Sequence, residues 1–255
     1  MKVVVLVKQV PDTWGERRLD PSTGWVDRAA SDRIIDEIGE RALEVALSHK
    51  DHAKDTEVVA LTMGPATATE ALRKALSMGA DAAVHVLDDG LAGADLLRTA
   101  TVLASAIRST GFDVVIAGNE STDGRGGVIP AMLAELLGVP AALNLDAVEF
   151  SDGEVAGTRS VEDATMAVRA PLPALVSITE RTAEPRFPNL KGIMGAKKKP
   201  MTVLAVADLG VDAAASQSVI VSVSERPPRS GGEVIVDDGS AATKLADYLA
   251  ANRLI

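Results

Sequence analysis

Four short apolar runs of strand character punctuate the first half of the chain, and each is followed by a segment whose apolar residues recur at helical spacing. The runs are Val3–Val7, Glu57–Thr62, Asp81–Leu87 and Val114–Ala117. The helical segments are Ser31–Leu47, with Ser31 or Asp36 as cap, then Thr67–Met78, Ala92–Arg108 and Val128–Leu137. Runs that do not alternate with polar residues belong to strands covered on both faces, and strands alternating with helices make a parallel sheet with right-handed crossovers. The rhythm therefore predicts an α/β fold, a doubly wound, mostly parallel sheet with helices on both sides. Such sheets bind ligands outside the carboxyl ends of their strands.

After Gly138 the rhythm changes. Leu143–Phe150, Glu154–Ser160, Ala164–Ala170 and Leu175–Thr179 read as consecutive strands, with Ser151-Asp152-Gly153 as a hairpin turn. These are expected to be antiparallel additions that extend or cap the sheet. Residues 184–196, with two prolines and two glycines, read as an ordered but mobile surface loop carrying the apolar side chains of Phe187, Leu190, Ile193 and Met194. From Met201 the chain has a short strand, then Asp208–Asp212, Pro227-Pro228 and Gly231-Gly232, an extended arm that ends in a helix over Ala241–Leu254. The expected division is a domain over residues 1–200 and an arm over 201–255 that wraps another polypeptide.

The stretch from Asp113 to Gly138 carries the chemistry. Between its strand and its helix lies a loop with four glycines, Gly118, Gly124, Gly126 and Gly127. Glycines let main-chain amides approach a ligand, and the following helix aims its positive end at the same place, which suits a phosphate. Asn119, Ser121, Thr122 and Arg125 add side-chain donors, and Asp123 can accept from a ribose or brace the loop. The pattern is neither a Walker loop nor Gly-x-Gly-x-x-Gly, and a turn with no ligand is the plain alternative. No histidine lies nearby to activate Ser121, so the loop is expected to hold a nucleotide rather than cleave one. Lys8, leaving the first strand, either reaches a phosphate or stays solvated.

Composition narrows the field. A net charge of −10 and only six aromatic residues argue against a nucleic-acid partner. Without cysteine there are neither disulfides nor thiolate metal sites. His49 and His52 belong to no ligand motif, and no metal is expected. The first strand begins at once and is too short to serve as a secretion signal or to enter a membrane, so a cytoplasmic protein is expected. Trp14 and Trp25 lie in a polar excursion over Thr13–Arg28.

Taken together these blocks resemble the β subunit of electron transfer flavoprotein, the FixA-type family, along essentially the whole chain. The resemblance rests on Val7-Lys8-Gln9-Val10-Pro11-Asp12, Gly64-Pro65-Ala66, Ala75–Asp81, Gly118–Gly127, Glu184-Pro185-Arg186-Phe187, Ile193–Lys199 and Asp208-Leu209-Gly210. It implies an adenine-nucleotide-hydrolase-like scaffold and a heterodimer with an α subunit that carries FAD. It also implies AMP bound by Leu6, Val7 and Lys8, by Arg33, Ile34, Ile35 and Asp36 at the first helix start, by Met63, and by Gly118, Asn119, Glu120, Ser121, Thr122, Asp123, Gly124, Arg125, Gly126, Gly127, Val128 and Ile129. Asp36 is expected to face adenine or ribose. Pro185, Arg186, Phe187, Leu190, Ile193 and Met194 would dock acyl-CoA or other flavin dehydrogenases, with Leu190 as anchor. Electrons would pass on to an ETF-quinone oxidoreductase, and no side chain of this chain would be catalytic. Two alternatives stay open, a bifurcating type with a second FAD in place of AMP, and a free-standing stress-type nucleotide-binding module.

Overall fold

The computed structural model describes residues 1–151, 153–211, 216–227, 231–232 and 234–255. The chain divides into two units, Met1–Ser222 and Val223–Ile255.

The first unit is built on a seven-stranded sheet. In chain order its elements are β1 (Lys2–Leu6), β2 (Gln9–Pro11), β3 (Arg33–Ile35), α1 (Glu37–His52), β4 (Glu57–Met63), α2 (Thr69–Met78), β5 (Ala82–Val86), α3 (Leu96–Thr110), β6 (Val114–Gly118) and α4 (Ile129–Leu137). There follow β7 (Ala141–Leu145), β8 (Ala147–Ser151), β9 (Glu154–Val161), β10 (Ala164–Pro171), β11 (Ala174–Ile178), α5 (Leu190–Ala196) and β12 (Met201–Leu204). The sheet order is β12-β5-β4-β1-β6-β11-β7, and every pairing in it is parallel. Val3, Val4, Val5, Val114, Val115 and Ile116 are fully buried, as strands covered on both faces must be.

Alternate residues serve two cores. Val3, Val5, Ala60 and Ile116 pack with α1 and α2, while Val4, Leu61, Val115 and Leu175 pack with α3 and α4. The crossovers thus change side after β5, and the order reverses at the β1/β6 boundary, where an open sheet leaves a crevice at its carboxyl edge. Helix ends carry their own signals. Asp95 caps α3 by accepting from the Arg98 amide, and Gly138 ends α4 in the left-handed conformation.

Four sequence expectations are corrected. Of the two caps expected for the first helix, Asp36 is used and Ser31 is not: helix α1 starts at Glu37, because Arg33–Ile35 pairs antiparallel with Gln9–Pro11. The additions after Gly138 split. Ala141–Leu145 and Ala174–Ile178 join the main sheet in parallel, and only β8, β9 and β10 form a separate antiparallel sheet. That sheet covers the α1 side through Phe150, Val155 and Ala170. Residues 190–196 are helical rather than loop, since Asn189 caps them by accepting from the Gly192 amide. Met201–Leu204 pairs with β5 as a sheet edge, so it belongs with the first unit. Of the expected hairpin turn, Asp152 lies outside the described residues, as do Asp212 and Pro228 of the expected arm.

The second unit has no helix or strand, among its described residues, before α6 (Ala241–Ala251), and no residue of α6 is buried within it. No helix is long and apolar enough to cross a membrane among the described residues.

Candidate nucleotide site

The glycine-bearing loop opens where β6 ends. Gly118 is required there: a Cβ would stand 2.8 Å from the Ile38 side chain of α1. The Asn119 amide donates to the Ile178 carbonyl at 2.8 Å, so the loop leaves the sheet beside β11.

Two carboxylates then fix its course. Asp36 is 2 % exposed. Its Oδ1 accepts from the amides of Ile38 and Gly39, capping α1, while its Oδ2 accepts from the Thr122 amide at 2.7 Å and the Thr122 hydroxyl at 2.8 Å. Asp123 turns inward and pairs with Lys8 at 2.7 Å and Arg28 at 2.9 Å. Burial alone would raise its carboxyl, but the Lys8 ammonium, the Ser121 hydroxyl and Arg28 hold it far below the ordinary carboxylate range. Arg17 completes the frame, donating to the Thr122 carbonyl, to its hydroxyl at 3.0 Å and to the Pro11 carbonyl at 2.8 Å.

With Asp123 turned inward, the loop leaves its last three glycines exposed. Arg125 sits at φ 48° and Gly127 at φ 65°, and Gly124, Gly126 and Gly127 are exposed. A Cβ on Gly127 would meet nothing within 4 Å. Among the described residues the amides of Gly126, Gly127 and Val128 donate to no protein acceptor, and they stand at the positive end of α4. Two buried oxygens near the strand ends also lack partners, Oδ1 of Asn119 after β6 and the hydroxyl of Thr62 in β4. Buried polar atoms are normally satisfied, so bare ones beside a crevice suit a polar ligand. The arrangement can grip an anion with main-chain amides and offer an acceptor to an exocyclic amine or a hydroxyl.

The expected site residues fall into groups. Leu6, Val7 and Lys8 leave β1, Met63 ends β4, and Gly118 to Ile129 follow β6, so all three sets lie at carboxyl ends of strands β4, β1 and β6, which are neighbours. Arg33, Ile34 and Ile35 form strand β3 instead of a helix start. Lys8 is half-exposed yet paired, donating to Asp123 and Ser121. Glu120 pairs with Arg125 at 3.2 Å. Arg17 and Arg28 were not singled out by sequence reasoning, since nothing local marks an arginine in a polar excursion as the partner of a loop about a hundred residues away. Trp14 of that excursion is 95 % exposed, whereas Trp25 lies on Gly93. His49 stacks edge-on against Phe150.

The expected docking residues gather elsewhere. Phe187, Leu190, Ile193 and Met194 are all exposed, with Leu190 at 74 %, while Pro185 and Arg186 are half-buried against the body of the unit.

Comparison with known proteins identifies the family. The family model of the electron transfer flavoprotein domain matches residues 23–209. The electron transfer flavoprotein subunits beta of Mycobacterium tuberculosis and Mycobacterium leprae are 46 % and 47 % identical, each over 99 % of both chains. A subunit of the caffeyl-CoA reductase-Etf complex of Acetobacterium woodii is 32 % identical over 98 % of this chain and 96 % of its own. The chain belongs to the electron transfer flavoprotein β-subunit family.

Proposed function

We propose that this chain is the nucleotide-holding half of a heterodimeric electron carrier, with AMP on the loop between β6 and α4 and FAD held mainly by an α subunit. The carrying observation is the loop itself, held from below by Asp36 on Thr122 and by its own Asp123 on Lys8 and Arg28, while the exposed Gly126 to Val128 amides stand unpaired at a helix start. These amides would hold the phosphate, and Asn119 with the ends of β1 and β4 would take the nucleoside. FAD supplies the redox chemistry of such a carrier. The chain's own residues would bind and position. The AMP then stabilises the fold by mass action.

The heterodimer would take electrons from acyl-CoA or other flavin dehydrogenases, docked on the Pro185–Met194 segment with Leu190 as anchor, and deliver them to an ETF-quinone oxidoreductase. The arm from Val223 onward would embrace the α subunit. A second reading, FAD in place of AMP on this chain, draws on the relative named for a reductase complex.

Copurification with the α subunit, followed by nucleotide extraction, tests these readings. One FAD and one AMP per heterodimer is the expected result. Two FAD would favour the second reading, and a chain recovered folded and alone, without adenylate, would overturn both.

A further inference from the structure

The exposed apolar cluster on α5 is mounted with unusual care. Gly192 lies so close to α2 that a Cβ would stand 2.3 Å from the Ser77 carbonyl oxygen. Asn189 caps the start of α5, and Arg73 of α2 donates to the Ala196 carbonyl at its end at 2.9 Å. Upstream, the chain is bolted to α1. Arg186 donates through Nε and Nη2 to both oxygens of Glu44 at 2.8 to 3.1 Å, and through Nη2 to Asp51 at 2.8 Å, while its own amide donates to Glu44 at 2.9 Å. Glu44 is 6 % exposed and also accepts from Ser48. Arg41, one turn back, holds the Thr182 carbonyl and Glu184.

A planar guanidinium matched two-fold to a buried carboxylate fixes direction as well as distance. Between that bolt and α5 there are only Phe187, Pro188 and Asn189. Phe187 and Leu190 stand out at 92 % and 74 % exposure, which an unsupported apolar loop would avoid by collapsing onto the protein.

We infer that Arg186, through Glu44 and Asp51 of α1, is a positioning residue that holds the Leu190 face of α5 ready for its electron-donating partner. The partner's site is an apolar depression that receives Leu190 and Met194 from a preformed helix, so little ordering cost falls on association. This rests on the docking role proposed above for residues 185–194.

The test uses the heterodimer, with a substrate-reduced acyl-CoA dehydrogenase as electron donor and the heterodimer varied as acceptor. Arg186→Gln is expected to raise KM for the heterodimer on the order of tenfold, as misplacement of a docking group does. The limiting kcat, the FAD content and the adenylate content stay at wild-type values, and Arg186→Lys recovers part of the loss. Leu190→Ala raises KM by itself, and the double variant is no worse than Leu190→Ala alone, because Arg186 acts through that side chain. If Leu190→Ala matters but Arg186→Gln does not, the positioning role is overturned and the docking role survives. Losses that add, or a fall in FAD content, also overturn it, since they mark a general structural effect. If Leu190→Ala changes nothing, the docking role fails and takes this inference with it. Should Arg186→Gln not fold, Asp51→Asn removes only the exposed contact and must raise KM in the same direction, and an unchanged KM overturns the inference.

Discussion

Asp36 and Asp123 sit 87 residues apart in sequence and fix the same point of one loop, Asp36 from the cap of α1 and Asp123 from within the loop itself. Replacing Asp36 by alanine removes a helix cap and leaves two groups of Thr122 without an acceptor. A cap alone contributes about 1 kcal/mol, and a stranded buried donor costs about as much again. We expect a loss of about 2–3 kcal/mol in denaturant melts, together with weaker adenylate retention on dialysis. Asp123 adds a dependence on pH. Its carboxyl is lowered in the folded chain, so its contribution to stability is complete above the unfolded value near pH 4 and is lost as pH falls below that toward the lower native value. Acid titration of unfolding should therefore show an extra loss below about pH 4. Asp123→Asn should abolish that loss while costing about 2 kcal/mol at neutral pH. The glycines and Thr122 were legible in the sequence because they form one local pattern. Their anchors were not, for an arginine at 17 or 28 gains its meaning only when the fold brings it beside residues 121–123.

Whole elements were legible in proportion to how local their causes are. Strands β1, β4, β5 and β6 announce themselves as apolar runs, since burial on both faces leaves little place for polar residues, Thr62 and His85 being the exceptions. The start of α1 stays open between Ser31 and Asp36 in the sequence because Ile34, Ile35 and Ile38 fit a helical stripe, and the pairing that makes Arg33–Ile35 a strand comes from Gln9–Pro11. Parallel partners for β7 and β11 were equally hidden, as direction is settled by distant neighbours in the sheet. Helix α5 offers a test at this scale. Alanine normally favours a helix over glycine by about 1 kcal/mol, so Gly192→Ala should stabilise α5 if only propensity counted. Its Cβ would instead press on the Ser77 carbonyl of α2, and backbone yields less readily than a side chain. We expect a net loss of about 1–3 kcal/mol, read in thermal melts, and a raised KM for dehydrogenase.

At the scale of the molecule, the order β12-β5-β4-β1-β6-β11-β7 decides where a ligand can go, because the crossovers change sides after β5 and the sheet order reverses between β1 and β6. Both the Lys8 turn and the glycine-bearing loop leave the sheet at that boundary. Among the described residues, none after Ser222 belongs to the sheet or to its two cores. A chain ending at Ser222 should melt within a few degrees of the full protein in calorimetry, a stability change of at most about 1 kcal/mol, yet recover far less α subunit on copurification. Helix α1 meanwhile bears on two regions at once, its Asp36 end on Thr122 and its Glu44 and Asp51 flank on Arg186, over a span of roughly 22 Å. Evolution is thereby denied independent adjustment of the two: a substitution that rolls or tilts this rod to suit one loop is felt at the other, so accommodating a bulkier cofactor would demand compensating changes among residues that never touch it.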